Sequence, residues 1–308
     1  MNNRWHVLST VLLVCLAMAA CAPAPIASVP PTGTPISTAS STPIVSLPPT
    51  SAPTPPATST PLVMPVSPTV SPTVAVLPKP TLANSAPIAT DVQLPSGFRA
   101  TLFARLNDPR FMTYGPDGVL YVAERGANRI VALVDANNDG VADVPIVVAD
   151  NLIAPSSVAF APDGSLYVGE TTRVTRIELD PASHRAIKRN VVIDGLPSGG
   201  HNTRTVLFGP TGELYVSIGS SCNVCVEKDE RRAAVMVYNA EGKNGRVFAR
   251  GLRNAVGLAI NPRTGELWAT DMGRDWLGDD SPPETIYIVQ DGLDAGWPRF
   301  HSGRIIDP

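Results

Sequence analysis

Between residues 22 and 90 the chain has one charged side chain, Lys79, and no aromatic ring. It also shows no helical or strand-like alternation of apolar residues there. A segment so poor in rings and charges cannot bury enough surface to offset the entropy of ordering it. Instead it holds 18 of the 32 prolines, set among Thr, Ser, Ala and Val. Proline biases such a chain toward polyproline II, at about 3.1 Å per residue, so the stretch reaches roughly 200 Å when extended. The expectation for residues 22–90 is a disordered, semi-rigid Pro/Thr/Ser-rich linker, open to O-glycosylation.

Other scarcities exclude function classes. The net charge is only -3, so there is no cationic excess for nucleic acid. No apolar run reaches the length of a membrane-spanning helix. Four cysteines are present, and only Cys222 and Cys225 lie beyond residue 21. One C-x-x-C pair cannot complete a zinc site without further thiol or imidazole partners. Outside a cell, a disulfide between the two is the default, and a redox role would lack the usual βαβ setting.

The front of the chain is an address. Arg4 precedes an apolar stretch, residues 7–19, with the proportions of a signal-peptide core. It ends in Met18-Ala19-Ala20-Cys21. Small residues ahead of a cysteine resemble the bacterial lipobox, in which Cys21 is lipidated and becomes the new N-terminus. Residues 1–21 are then a lipoprotein signal, and the protein is exported to the cell envelope and held to the membrane by lipid alone. The alternative is an ordinary secretory signal with a chance cysteine.

The folded domain is expected over residues 91–308, and from residue 95 the pattern changes to short apolar runs punctuated by Gly, Asn, Asp and Pro. One phrase recurs. Tyr114-Gly115-Pro116-Asp117-Gly118-Val119-Leu120-Tyr121-Val122 returns at Phe160–Val168 and Phe208–Val216, and more loosely at Ile260–Trp268. The aromatic positions Tyr121, Tyr167, Tyr215 and Trp268 stand 46, 48 and 53 residues apart. That period with several strands per unit marks an all-β, β-propeller fold. Pro-Asp-Gly is turn chemistry, so each copy is a hairpin between a blade's first two strands.

Seven residues before the first residue of each copy, Tyr114, Phe160, Phe208 and Ile260, lie Asn107, Ile153, His201 and Arg253. These are equivalent positions just ahead of each innermost strand. The repeat therefore predicts that His201 and Arg253 face a shared central cavity from neighbouring blades. Four blades are countable. Either they close into a compact ring or the chain stops early, and the second is the preferred reading.

Residues 91–308 resemble the soluble pyrroloquinoline-quinone (PQQ)-dependent glucose and sorbosone dehydrogenases. The phrases that carry the resemblance are Leu120-Tyr121-Val122-Ala123-Glu124-Arg125-Gly126, Gly195-Leu196-Pro197 leading to His201, Gly251–Ala259 and Ala295-Gly296-Trp297-Pro298. Gly200-His201-Asn202 and Gly219–Cys225 lean toward the sorbosone branch. The resemblance implies a six-bladed propeller, about four blades of it present, with the quinone over the funnel and calcium polarising it. It implies His201 as the base that takes a sugar hydroxyl proton while hydride leaves for the quinone, a role suited to imidazole near neutrality. The alternative is a histidine that satisfies loop backbone. It implies Arg253 and Asn254 as cofactor contacts, and Gly273 and Arg274 as carbonyl donors to calcium. Asp279, Asp280 and Glu284 form an acidic loop beside them, suited to a structural calcium or simply solvated.

Asp135-Ala136-Asn137-Asn138-Asp139-Gly140-Val141-Ala142-Asp143 is a separate signal. Oxygen ligands at Asp135, Asn137, Asp139 and Asp143, with glycine at the sixth place, copy the start of an EF-hand loop. Ile146 stands where the usual bidentate Glu belongs, so a polar hairpin turn is the competing reading.

Three departures bear on the resemblance. Gly200 replaces the acid that the glucose branch has before its base. The base's other acidic partner falls near Ser220. The chain stops at Pro308, whereas the family continues for two more blades. The leading functional expectation is PQQ-dependent oxidation of an aldose or sugar aldehyde with an unknown electron acceptor. The alternatives are a non-catalytic surface propeller for binding or scaffolding, a truncated inactive fragment, and a lactonase-like propeller whose acids Glu124, Glu170 and Asp271 converge on the funnel.

Overall fold

The computed structural model describes residues 92–308. Cys21, the signal and the linker expected over 22–90 lie outside the described residues.

Four antiparallel sheets follow one another along the chain. Blade 1 is β1 (Pro109–Tyr114), β2 (Leu120–Glu124), β3 (Arg129–Leu133) and β4 (Ile146–Ala149), paired in that order. Blade 2 is β5 (Ser157–Phe160), β6 (Leu166–Gly169), β7 (Val174–Leu179) and β8 (Ala186–Ile193). Blade 3 is β9 (Val206–Phe208), β10 (Leu214–Ile218), β11 (Ala234–Tyr238) and β12 (Arg246–Arg250). Blade 4 has three strands, β13 (Ala255–Ile260), β14 (Leu267–Asp271) and β15 (Thr285–Val289). A short hairpin, β16 (Phe300–His301) and β17 (Ile305–Ile306), closes the described chain.

Every recurring phrase is the hairpin between a blade's first two strands, as the repeat predicts. Gly118, Gly164 and Gly212 carry φ of 77°, 82° and 95° at the turns, a conformation that a Cβ would strain. The innermost strands β1, β5, β9 and β13 lie side by side in chain order.

The core is a series of blade-to-blade joints. Tyr121, Ile130 and Val148 meet Val158, Leu166 and Ile177 between blades 1 and 2. Tyr167 and Ile193 meet Val206, Leu214 and Met236 between blades 2 and 3. Tyr215, Val235 and Leu252 meet Leu267, Ala269 and Val289 between blades 3 and 4. At two joints the recurring tyrosine stands edge-on to the next blade's ring: Tyr121 to Phe160 with centroids 5.0 Å apart, and Tyr167 to Phe208 at 4.8 Å. Such pairs add to plain area burial.

The compact four-bladed ring weighed from the repeat count is not formed. The far face of blade 4 leaves Trp268, Ile286 and Ile288 exposed, and the near face of blade 1 leaves Met112 and Tyr114 exposed. The described blades make an arc with two uncovered faces.

Candidate active site

The loops that enter the four innermost strands repeat in design, with one exception. Three residues after the recurring aromatic stand Glu124, Glu170, Ile218 and Asp271. Where the residue is acidic, it caps the entry loop. Glu124 accepts from the Asn107 N–H at 2.8 Å, and Glu170 accepts from that of Ile153. Asp271 accepts from Arg253 N–H at 3.2 Å and Asn254 N–H at 2.7 Å. These carboxylates are nearly inaccessible and each is committed to its own blade. They do not converge on the funnel, which corrects the lactonase-like expectation. Burial pushes the Asp271 carboxyl up to about 6, against the opposing pull of the two N–H donors and the Arg253 charge.

Blade 3 has Ile218 in place of the acid, and the entry loop that carries His201 is held differently. Its N–H donates to Ser220 O at 2.9 Å, and Ser220 N–H donates to Arg253 O at 2.8 Å. One serine backbone thus ties the His201 loop to the Arg253 loop of the next blade. Glycine makes the approach possible. A side chain at Gly200 would lie 2.5 Å from the Ser221 carbonyl, and φ there is +61°. One at Gly219 would lie 2.5 Å from His201 Cβ and 2.6 Å from Asn254 Oδ1. His201 and Asn254 therefore flank Gly219 from neighbouring blades.

The His201 ring has a defined tautomer. Nδ1 lies 3.1 Å from Ser220 O and 2.9 Å from Ser220 Oγ. A carbonyl only accepts, and the Ser220 hydroxyl donates to Cys222 O at 2.6 Å. Nδ1 must then carry the proton, which leaves Nε2 as a bare lone pair. Nε2 makes no hydrogen bond among the described residues. Burial first, then the Arg253 charge, hold the imidazole below its usual 6.5, with Asp275 and Glu227 pulling the other way. The ring is therefore neutral at physiological pH. Sequence reasoning marked Ser220 only as a lost acid; it is the group that orients the ring.

Arg253 does not face an open cavity as the repeat predicted. It is buried, and all five of its N–H groups are bonded within the chain. Nε donates to Asn223 O at 2.9 Å, Nη1 to Met272 O and Gly273 O at 3.3 and 2.7 Å, and Nη2 to Asn223 Oδ1 and Asp275 Oδ2 at 2.8 and 2.7 Å. The space beside it, walled by Asp271, Gly273 and Trp297, is only ≈10 Å³, room for one water. Trp297 Nε1 also donates to Asn223 O, at 3.2 Å. Asn223 sits between Cys222 and Cys225, whose sulfurs are bonded to each other, so the short covalent loop carries the acceptors that fix Arg253.

The expected metal ligands do not assemble. Gly273 O is taken by Arg253, and a second cation on that oxygen would stand beside the guanidinium. The Arg274 side chain pairs with Asp307, which also receives His301. Glu284 accepts from Gly273 N–H at 3.1 Å, while Asp279 and Asp280 are exposed. In the EF-hand-like loop, Asp135 caps the N–H groups of Asp139 and Gly140, Asp139 that of Val141, and Asp143 that of Ala136. Asn137 bonds Asp139. Among the described residues the one close trio of Cys, His or acidic ligand atoms is Cys222, Cys225 and Glu227, and its thiols are already joined.

The Gly273 carbonyl, taken by the Arg253 guanidinium, does not suit a calcium ion as it stands. Polar groups without strong partners gather around Gly219 instead. His201 Nε2 is free, buried Asn202 Oδ1 has no partner, and the Asn254 amide has only the Met272 sulfur at 3.9 Å. These polar groups lie on or beside one loop and its neighbour.

Comparison with known proteins agrees with this architecture. An uncharacterized protein of Borreliella burgdorferi is 25% identical over 216 residues, 66% of this chain and 55% of the relative. A pyrroloquinoline quinone-dependent pyranose dehydrogenase of Coprinopsis cinerea is 27% identical over 197 residues, 58% of this chain and 27% of the relative. The chain thus spans between about a quarter and about half the length of these relatives. Among solved structures, the holo PQQ domain of the Coprinopsis cinerea pyranose dehydrogenase superposes with TM-score 0.57 at 24% identity, covering 64% of this chain and 55% of that one. The calcium structure of a Trichoderma reesei family AA12 enzyme gives 0.59 at 20%, covering 65% and 58%. The PQQ-bound aldose sugar dehydrogenase of Streptomyces coelicolor gives 0.53 at 21%, covering 67% and 68%. These likenesses establish the propeller fold. The family model described as TrAA12-like matches residues 92–288, and with the repeat and the His201 site in place the chain belongs to that family, in line with its resemblance to the quinoprotein sugar dehydrogenases.

Proposed function

We propose that the protein oxidises an aldose or a related sugar aldehyde with pyrroloquinoline quinone as its cofactor, and that His201 is its general base. The observation that carries this reading is the bare Nε2 of a neutral imidazole whose tautomer Ser220 fixes. When bound, the quinone would supply the acceptor for the hydride, which carries both electrons of the oxidation. His201 Nε2 takes the hydroxyl proton from the carbon that loses hydride, so that carbon becomes a carbonyl. Asn254, which flanks Gly219 opposite His201, orients the oxygen-rich ligand. Arg253 acts through its field, which favours the neutral ring and opposes a second positive charge beside it. The relatives named for PQQ support the cofactor, and the Gly273 carbonyl would have to exchange Arg253 for a calcium ion. Export and lipidation at Cys21 belong to the same reading, and loss of the acylated N-terminal peptide in Cys21→Ser, seen by mass spectrometry, tests them.

The test of the chemistry is reconstitution of the full chain with the quinone, with and without calcium. Sugar-dependent dye reduction is expected, with an acid limb in kcat/KM below 6.5. His201→Ala should cut kcat by about 10²–10⁴-fold. Absence of quinone binding, or full activity in His201→Ala, would refute it. One observation favours a second reading, a non-catalytic binding propeller: Arg253, matched to a cofactor-binding arginine, has no free donor. Under it the same variant binds sugar unchanged and no dye is reduced by either protein.

A further inference from the structure

The His201 loop is held by two buried guanidinium groups. Arg204 is fully buried, and its Nη1 donates to His201 O at 3.0 Å and Thr203 O at 2.9 Å, while Nη2 donates to Pro197 O. Arg232 is also buried, and its Nη1 donates to Gly199 O at 3.0 Å and Gly219 O at 3.3 Å, while Nη2 donates to Ser198 O. Five carbonyls of residues 197–203 thus point at two cations. Neither arginine makes a salt bridge among the described residues, and the Arg232 charge bears on buried Arg204. Two unpaired charges packed together are costly to bury, so a fold that keeps both must be using what they hold.

The other blades show what is being replaced. Their entry loops are fastened through N–H groups by Glu124, Glu170 and Asp271, and the position of Arg204 is taken by exposed Arg110, by Ser156 and by Val256. Blade 3 alone has Ile218 instead of the acid, and alone has two buried guanidinium groups on its entry-loop carbonyls. It is also the blade that presents the histidine. An acid in that place would pair with the imidazole or charge it; cations on the carbonyl side anchor the loop without offering the ring an acceptor.

We infer that Arg204 and Arg232 are positioning residues that fix the path of residues 197–203 and thereby the tautomer and direction of the His201 ring. The inference rests on the reading of His201 as the base, and the two can fail separately. The charged groups that bear on the ring itself are Arg253, Asp275 and Glu227.

The experiment is nitrogen-15 NMR of the histidine rings in the full chain without quinone, for the wild type, R204K and R232K. The lysines keep the charge and lose the fork. His201 is assigned by the resonance missing in His201→Gln. In the wild type the ring should show the Nδ1–H tautomer and titrate below 6.5. In R204K and R232K the tautomers should mix and the titration should move up toward 6.5, with His184 and His301 unchanged. An identical His201 tautomer and titration in both folded variants would overturn the positioning role. Loss of fold in both variants would overturn it too, because the pair would then be a requirement of the core. Mixed tautomers in the wild type would instead defeat the reading of His201 as a fixed base.

Discussion

At the scale of single residues, burial decides which protonation state the site keeps, and Asp271 shows it most directly. Its carboxyl titrates near 6 in the fold against 3.8 for the free group. Between those values the folded protein holds a proton that the unfolded chain releases. Stability contributed by this group is therefore present below about pH 4 and lost as pH rises to 6. A shift of that size corresponds to roughly 3 kcal/mol. The carboxylates held below their usual range, such as Glu124 and Asp163, run the opposite way at lower pH, so the wild-type curve alone does not isolate the effect. The difference between wild type and Asp271→Asn does. Urea denaturation should show that difference shrinking as pH goes from 4 to 6 and flat above 6.5; a difference that grows with pH would contradict it. His201 has the reverse sign, because its depressed imidazole makes stability fall as pH drops below 6.5.

At the scale of elements, the entry loops are set by clamps of two polarities, carboxylate on N–H in blades 1, 2 and 4 and guanidinium on C=O in blade 3. Glu170 makes the fullest carboxylate clamp. It is wholly buried and receives Ile153 N–H, the Thr175 hydroxyl and, at 2.9 Å, Arg173 Nε. Glu170→Ala would leave a buried N–H and a guanidinium unpartnered, a loss of about 3 kcal/mol. The same change at exposed Glu284 should cost under about 0.5 kcal/mol. Equal effects in denaturation would remove the clamp its structural role. The strands and hairpins of these blades were legible in the sequence, because Pro-Asp-Gly turns and the recurring tyrosine are local and periodic. His201 was legible as well, through register. The direction of Arg253 was not, since its acceptors Asn223 and Asp275 lie 30 and 22 residues away on other loops. Arg204 and Arg232 were invisible for a related reason: an arginine that binds carbonyls leaves no pattern of charge or period.

At the scale of the whole molecule, two of the three joints between the described blades follow one rule, and the ends of the arc leave its parts unmet. A recurring aromatic projects from β2 and β6 onto a ring of the next blade's innermost strand. Trp268 occupies that projecting place in blade 4, and Tyr114 the receiving place in blade 1. Among the described residues both are unmet, with Trp268 37% and Tyr114 71% exposed. Part of blade 1's near face is covered by Phe103, Ala104 and Leu106, which pack on Val122, Val131 and Leu133. The far face of blade 4 has no such cover: Trp268 pairs across the sheet with Ile288, and Ile286 with Thr270. Apolar rows of this kind on a sheet face favour association. In the isolated chain the sedimentation coefficient should therefore rise with protein concentration. Trp268→Lys with Ile286→Lys should flatten that rise without changing the circular dichroism, because neither side chain supports a joint inside the arc. A wild-type coefficient independent of concentration would mean that these faces are already covered in solution.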